Sequence, residues 1–279
     1  MPVIAMTREM GSLGKEVAEG VAKELGLRPL YEEVVNDLVD RTHLSGATVN
    51  GVIESHVSRY RQWRSQPSRL NACARASLLE IALKGDVLIR GWGAPFLFRP
   101  ISHIPCIRIC APFERRVLNL MRVFPTMNRQ EIEQQMKRSD RAYGASLRMS
   151  RRANTEQPWH FDLILNTERE PVECCVGAIV RLTQRPEFQE TEESRGELQR
   201  MAQHARIRAA LKNSSRTADA RITVEIEKDV INLNGIVDDL AQRKAIEDIV
   251  RELAGSRSVQ SSLRPMVGGI SYHRTGGSF

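Results

Sequence analysis

The chain opens on an unbroken apolar run, Val3, Ile4, Ala5 and Met6, and then changes period. Four apolar residues without alternation are what a strand buried on both faces presents. Past a polar stretch, Val17, Ala18, Val21, Ala22 and Leu25 recur at helical spacing, and Gly26 follows where a residue of positive φ commonly ends a helix. The same exchange of strand and helix patterns continues. Residues 27–30 read as a short strand. Residues 31–42 read as a helix through Val34, Val35, Leu38 and Val39, and 51–64 as a weaker helix with Thr48 placed to cap it. Leu70, Cys73, Ala74, Ser77, Leu78, Ile81 and Ala82 make a continuous stripe, which predicts a helix over 70–84.

Three more apolar runs follow, and the second and third are trailed by helical patterns. Val87, Leu88 and Ile89 end in Arg90-Gly91-Trp92-Gly93. Residues 104–110 make a third strand, with Ala111-Pro112 opening the next helix at a position that tolerates proline. Asn128 is placed to cap a further helix. Phe161, Leu163, Ile164 and Leu165 make a fourth strand, and Val172, Cys175, Val176, Ile179 and Val180 form the inner face of the helix over 171–182. Strands alternating with helices over residues 1–185 predict an α/β fold with a mostly parallel sheet flanked by helices.

From residue 186 the pattern changes. Residues 186–199 are polar and acidic at first and read as a linker. A helix over 198–211 follows. Ile222, Val224 and Ile226 alternate, then Val230, Ile231, Leu233 and Ile236, with Lys228-Asp229 between them as a tight hairpin. Residues 238–253 are amphipathic through Leu240, Ala245, Ile249, Val250 and Leu253, and 259–263 read as a last strand. The order αββαβ predicts a small α+β domain over 200–264, followed by a glycine-rich flexible tail over 265–279.

Composition adds limits. The 279 residues are 41% hydrophobic and 27% charged, as in a soluble globular protein. A net charge of +7 suits a partner that carries phosphate: nucleotide, nucleic acid or anionic lipid. The excess is not gathered into a tail, which argues against a nucleic-acid arm. Five cysteines at irregular spacing, without a C-x-x-C, favour buried thiols in a reducing cytoplasm over zinc or disulfides. No membrane span and no secretion signal are visible.

The stretch between the first strand and helix carries the candidate chemistry. Gly11-Ser12-Leu13-Gly14-Lys15 joins a strand to a helix N-terminus, an arrangement that offers backbone N–H groups and partial positive charge to an anion. Lys15 would reach outer phosphates. A full phosphate loop reads G-x-x-x-x-G-K-[ST]. Here Glu9 stands at the first glycine and Glu16 at the magnesium-binding hydroxyl. An ordinary strand-to-helix turn with a solvated lysine is the competing reading. Lys137, Arg138, Arg141, Arg148, Arg151 and Arg152 form the densest basic stretch, with Asp140 its only acid. It is either a solvated helix face or a lid whose arginines close over phosphates.

Taken together, 7–15, 87–93, 111–116 (Ala-Pro-Phe-Glu-Arg-Arg), 138–141 (Arg-Ser-Asp-Arg) and 161–167 (Phe-Asp-Leu-Ile-Leu-Asn-Thr) resemble the cytidylate kinase-like family of P-loop nucleoside monophosphate kinases. Residues 200–264 resemble a BON domain, through Val230-Ile-Asn-Leu-Asn-Gly235-Ile-Val and the αββαβ order. The first resemblance implies a P-loop-type sheet that uses ATP and Mg²⁺. It gives the ATP phosphates to Gly11, Ser12, Gly14 and Lys15, the monophosphate acceptor to Arg90 and Gly93, and the transferring phosphoryl group to Arg116, Arg138, Arg141 and Arg148. Glu16 could ligate the metal itself. The second implies binding of phospholipid or a protein partner. Gly91 replaces an aspartate that helps hold the nucleoside in such kinases, which puts CMP specificity in question. Three readings follow: a cytoplasmic kinase for a CMP- or dCMP-like monophosphate, a nucleotide-binding regulatory module without turnover, or a lipid-binding adaptor on an inert α/β scaffold.

Overall fold

The structure is a computed structural model that describes residues 2–30, 67–91, 93–149 and 157–266, with the side chains of 67–68 and 142–149 left aside. The helices expected over 31–42 and 51–64, the cap at Thr48, Trp92, and the tail beyond Met266 lie outside the described residues. The chain divides into two compact units, with the boundary between Ala202 and Gln203.

The first unit is built on a five-stranded sheet: β1 (Val3–Arg8), β2 (Arg28–Leu30), β3 (Val87–Arg90), β4 (Cys106–Cys110) and β5 (Leu163–Asn166). Their order is β2-β3-β1-β4-β5, and all pairings are parallel. Parallel strands need crossovers, and the connections here carry α1 (Gly14–Leu25), α2 (Pro67–Lys84), α3 (Ala94–Phe98), α4 (Phe113–Val123) and α5 (Arg129–Met149); α6 (Val172–Thr183) follows the last strand and packs back on the sheet. β1 is central and buried, which explains its unalternating apolar run. Its Ile4 and Met6 join Val17, Val21, Leu88, Ile107, Ile109, Val176 and Ile179 in the main core. α1 and α6 cross closely there: a Cβ on Gly20 would stand 2.6 Å from a methyl of Val176.

The third strand is shorter than its apolar run, beginning at Cys106 rather than at 104. Pro105 has no N–H to give a ladder, although its carbonyl still accepts from Ala5 N at 3.0 Å. The larger departure is at 186–199. Instead of a linker, this segment holds a short 3-10 turn, Pro186–Phe188, and then α7 (Glu192–Asn213). Thr191 and Ser194 close the helix start reciprocally, Thr191 N donating to Ser194 Oγ at 3.0 Å and Ser194 N to Thr191 Oγ1 at 3.2 Å. Ser194 also meets the buried ring of His103, Oγ to Nδ1 2.7 Å, so the segment is tied into the first unit.

The second unit has the expected αββαβ order. α7 leads into β6 (Arg221–Ile226), β7 (Val230–Val237), α8 (Leu240–Leu253) and β8 (Ser258–Pro265). β6 and β7 are antiparallel, closed by Glu227 N donating to Val230 O at 2.9 Å, and β8 pairs parallel to β7. Ile207, Leu211, Ile222, Val224, Ile231, Leu233, Ile246 and Val250 fill its core. Asp239 caps α8 by accepting from Gln242 N at 2.6 Å. Gly235 is required twice over. Its φ is +147°, and an added Cβ would lie 2.6 Å from the Arg221 carbonyl of the paired strand. Among the described residues, no helix is long and apolar enough to cross a membrane.

Candidate functional site

Because the five strands run in one direction, their C-terminal ends lie together. Connections leave β1 toward β2 on one side and reach β4 on the other, so the crevice of this open sheet falls at the end of β1. Residues 9–13 occupy that position, between β1 and α1. Gly11 has φ +83°, and a Cβ there would be 2.7 Å from the Arg116 carbonyl and 3.0 Å from a Leu120 carbon. Only glycine lets the loop lie this close to α4. Leu13 takes a left-handed conformation, φ 57°, as the residue before α1. A bulky side chain rarely adopts it, and such strain concentrates at functional turns.

Three successive loop carbonyls are held by side chains from elsewhere in the fold. Arg116 Nη1 donates to Met10 O at 3.3 Å, Asn119 Nδ2 to Gly11 O at 2.9 Å, and Thr167 Oγ1 to Ser12 O at 2.7 Å. The Ser12 side chain is fully buried and donates to Glu9 O at 2.8 Å. Val17 N returns to Leu13 O, beginning the helical pattern. Among the described residues no acceptor meets the N–H groups of Leu13, Gly14, Lys15 or Glu16. The loop therefore commits its carbonyls and leaves amides at the start of a helix, the polarity an anion needs.

Glu9 has a different task from the glycine whose place it takes. Its carboxylate accepts from Arg108 Nη2 at 2.8 Å and from Ala111 N at 3.2 Å, and lies 3.6 Å from Arg116 Nε. It fastens the loop to β4 and to the start of α4. Arg116 is 7% exposed and makes a two-pronged pair with Asp140, Nη1 to Oδ1 at 3.1 Å and Nη2 to Oδ2 at 3.0 Å. α5 is docked on α4 by Val117, Leu120, Ile132 and Met136, with Met10 of the loop against the same cluster. Asn128 caps α5 as expected, through reciprocal bonds with Glu131 of 2.9 Å each.

The candidate residues are distributed as follows. Gly11 and Ser12 lie in the loop, and Gly14 and Lys15 are the first two residues of α1. Lys15 is exposed and lies 3.7 Å from Glu19 one turn on. Arg90 ends β3, and Gly93 precedes α3 with φ 64°. Arg138 and Arg141 lie on exposed positions of α5, while the side chain of Arg148 is outside the described residues. Sequence reasoning missed Asn119, Thr167 and the Glu9–Arg108 pair, whose roles depend on contacts about a hundred or more residues apart in the chain. Thr167 was visible only as part of the Asn166-Thr167 strand end.

Arg8 keeps part of its surface open, yet protein atoms crowd its guanidinium. Burial, then the charge of Arg90, lowers its pKa, and Glu16 acts in the opposite direction. Among the described residues, no group of three or more His, Cys, Asp or Glu side chains could hold a metal ion. Magnesium bound with phosphate takes most of its ligands from phosphate and water and needs only one or two carboxylates. Glu16, exposed in the first turn of α1, is suited to that, whereas Glu9 is already committed to arginines. The Cys106 thiol is no nucleophile: burial, aided by Asp162, pushes it up to about 12.

The profile of the cytidylate kinase-like family matches residues 3–169, and that of the BON domain matches residues 202–264. No curated protein matches the chain at a significant level. Solved structures similar to it include an uncharacterized protein from Eubacterium ventriosum, 16% identical, covering 66% of this chain and 100% of that one, with a TM-score of 0.48. Shikimate kinase from Bacteroides thetaiotaomicron is 14% identical over 66% of this chain and 99% of that one, TM-score 0.38. Deoxyadenosine kinase from M. mycoides, with bound dCTP, is 10% identical over 64% and 97%, TM-score 0.32.

Proposed function

Since the chain belongs to the cytidylate kinase-like family and carries a BON domain, we propose that its first unit transfers a phosphoryl group from ATP to a nucleoside monophosphate of the CMP or dCMP kind. The observation that carries this reading is the loop with its carbonyls of Met10, Gly11 and Ser12 held by side chains and its following amides left open. Gly11, Ser12, Gly14 and Lys15 bind the ATP phosphates through backbone N–H groups and the lysine charge. Arg90 and the Gly93 turn receive the acceptor's phosphate at the end of β3. Arg138, Arg141 and Arg148, all on α5, bring positive charge over the reacting group. Phosphoryl transfer asks for positioning and charge rather than a protein nucleophile.

Arg116 would act through the loop. Its hold on Met10 O and its pairing with Asp140 and Glu9 fit a positioning residue, which reaches a phosphoryl group only if Asp140 releases it. Magnesium, when bound with ATP, would neutralise charge on the phosphates, with Glu16 as its protein ligand. The BON domain would bind phospholipid or a protein partner. The proposed compartment is the cytoplasm, where ATP is supplied.

A specific observation supports a second reading, nucleotide binding without turnover. The one hydroxyl in the loop, that of Ser12, is buried and directed to a carbonyl, and Glu16 follows Lys15. A coupled assay with ATP, Mg²⁺ and CMP, dCMP, UMP or AMP separates the two. Nucleoside diphosphate formation with one of them is expected. Nucleotide binding without product would establish the second reading, and neither binding nor product in folded protein would remove both.

A further inference from the structure

Four arginines gather about the loop: Arg8, Arg90, Arg108 and Arg116. Two are neutralised. Arg108 pairs with Glu9, and Arg116 with Asp140 and Glu9. The other two differ. Among the described residues, neither the Arg8 nor the Arg90 side chain has a hydrogen bond or ion pair.

Arg8 is placed by the loop itself. Met6 is in register with Arg90, so Arg8 stands two residues farther along β1, on the loop side. Its stem crosses the first residue of α1. A Cβ on Gly14 would lie 2.6 Å from Arg8 Cβ, 3.0 Å from Cδ and 3.4 Å from Cγ. The absence of a side chain at Gly14 thus lets an arginine lie against the open amides. Arg90 is near enough for its charge to act on Arg8, with Glu16 the opposing acid. Two like charges beside each other are an unfavourable arrangement that an anion between them reverses.

We infer that Arg8 and Arg90 form a two-guanidinium clamp for a phosphate group at the mouth of the loop, with Arg8 as a direct ligand alongside Lys15. The inference deepens the nucleotide-binding reading and rests on it. The chemistry recognised is a tetrahedral phosphate carrying negative charge, which a guanidinium fork grips with two parallel hydrogen bonds. Such a group arrives either as the end of a polyphosphate chain or as the phosphate of a monophosphate acceptor.

Calorimetric titration of the full chain distinguishes these sources. Wild type, Arg8→Ala and Arg8→Lys are titrated separately with ATP plus Mg²⁺ and with CMP, and folding is checked by thermal melting. Arg8→Ala should weaken at least one ligand by about tenfold or more, and Arg8→Lys, which keeps the charge and most of the stem, should recover only part of the loss. Loss with ATP assigns the clamp to the donor; loss with CMP alone assigns it to the acceptor. Affinities within about twofold of wild type for both ligands, in a folded Arg8→Ala or Arg8→Lys protein, overturn the clamp while leaving the nucleotide site standing. Wild type that binds neither ligand overturns the nucleotide reading and the clamp with it.

Discussion

Arg116 and Asp140 meet in a two-pronged ion pair, Nη1 to Oδ1 at 3.1 Å and Nη2 to Oδ2 at 3.0 Å, that joins α4 to α5 directly behind the loop. The arginine is buried and also holds Met10 O, so the pair couples α5 to the loop's conformation. Removing the carboxylate leaves that arginine with the Met10 carbonyl and the more distant Glu9 carboxylate. Asp140→Ala should cost about 1–2 kcal/mol, below the usual value for a fully buried pair because the aspartate is part-exposed. Denaturant unfolding measures it, and the melting temperature of the first unit should fall accordingly.

Glycine at position 11 is fixed by packing as well as by φ. Gly11→Ala would drive a Cβ to 2.7 Å from the Arg116 carbonyl. A loss of about 2–3 kcal/mol of stability is expected, with nucleotide affinity falling too, because the loop must move off α4. A neighbouring change should have the opposite sign on stability. Leu13→Gly relieves about 1–2 kcal/mol of left-handed strain against up to about 1 kcal/mol of added freedom in the unfolded chain, and should stabilise by about 0.5 kcal/mol. Chemical denaturation of the two variants side by side tests both signs.

In the second unit, Gly235→Val should be among the most damaging single changes. The branched side chain would meet the Arg221 carbonyl and the Ile222 backbone, breaking the β6–β7 ladder in mid-strand. A loss of about 3 kcal/mol or more is expected, enough to unfold a marginal unit. Amide exchange across Ile222 to Ile226 is the direct readout.

Acid should weaken the same unit through Glu247. Hydrogen bonds from Arg243 Nε at 2.9 Å and from Arg251 Nη2 at 2.8 Å hold its carboxyl at about 2 against an ordinary value of 4.5. A depressed carboxylate pKa adds stability above the unfolded value, which is lost as pH falls through the folded one. The contribution is therefore full above about pH 5 and disappears toward about pH 2. Glu247→Gln should lower stability at neutral pH and flatten the acid limb of a melting-temperature profile.

How much of this was legible in the sequence follows from the range of each interaction. β1, β3, β4 and β5, the helices after β1, β4 and β5 and the αββαβ order were readable because burial imposes a local period on the residues that share a face; α3, only five residues long, is too short to show one. The glycine loop was readable because backbone approach selects glycine at fixed spacing. The start of α7 was missed although Thr191, Glu192 and Glu193 are good helix-start residues: the surrounding absence of apolar side chains suggested a linker, and the contact from Ser194 to His103 spans 91 residues. The same limit hid the role of Glu9. At its place in the motif it reads as a missing glycine, and only the fold brings Arg108 and Arg116 to it.

Hydrogen–deuterium exchange of the full chain with and without ATP and Mg²⁺ tests the central claim most directly. The open amides of Leu13, Gly14, Lys15 and Glu16 should become protected when nucleotide binds, together with the Arg90–Gly91 turn. Unchanged exchange over residues 11–17 at saturating nucleotide, or protection confined to the second unit, would contradict the assignment of the loop as the phosphate site.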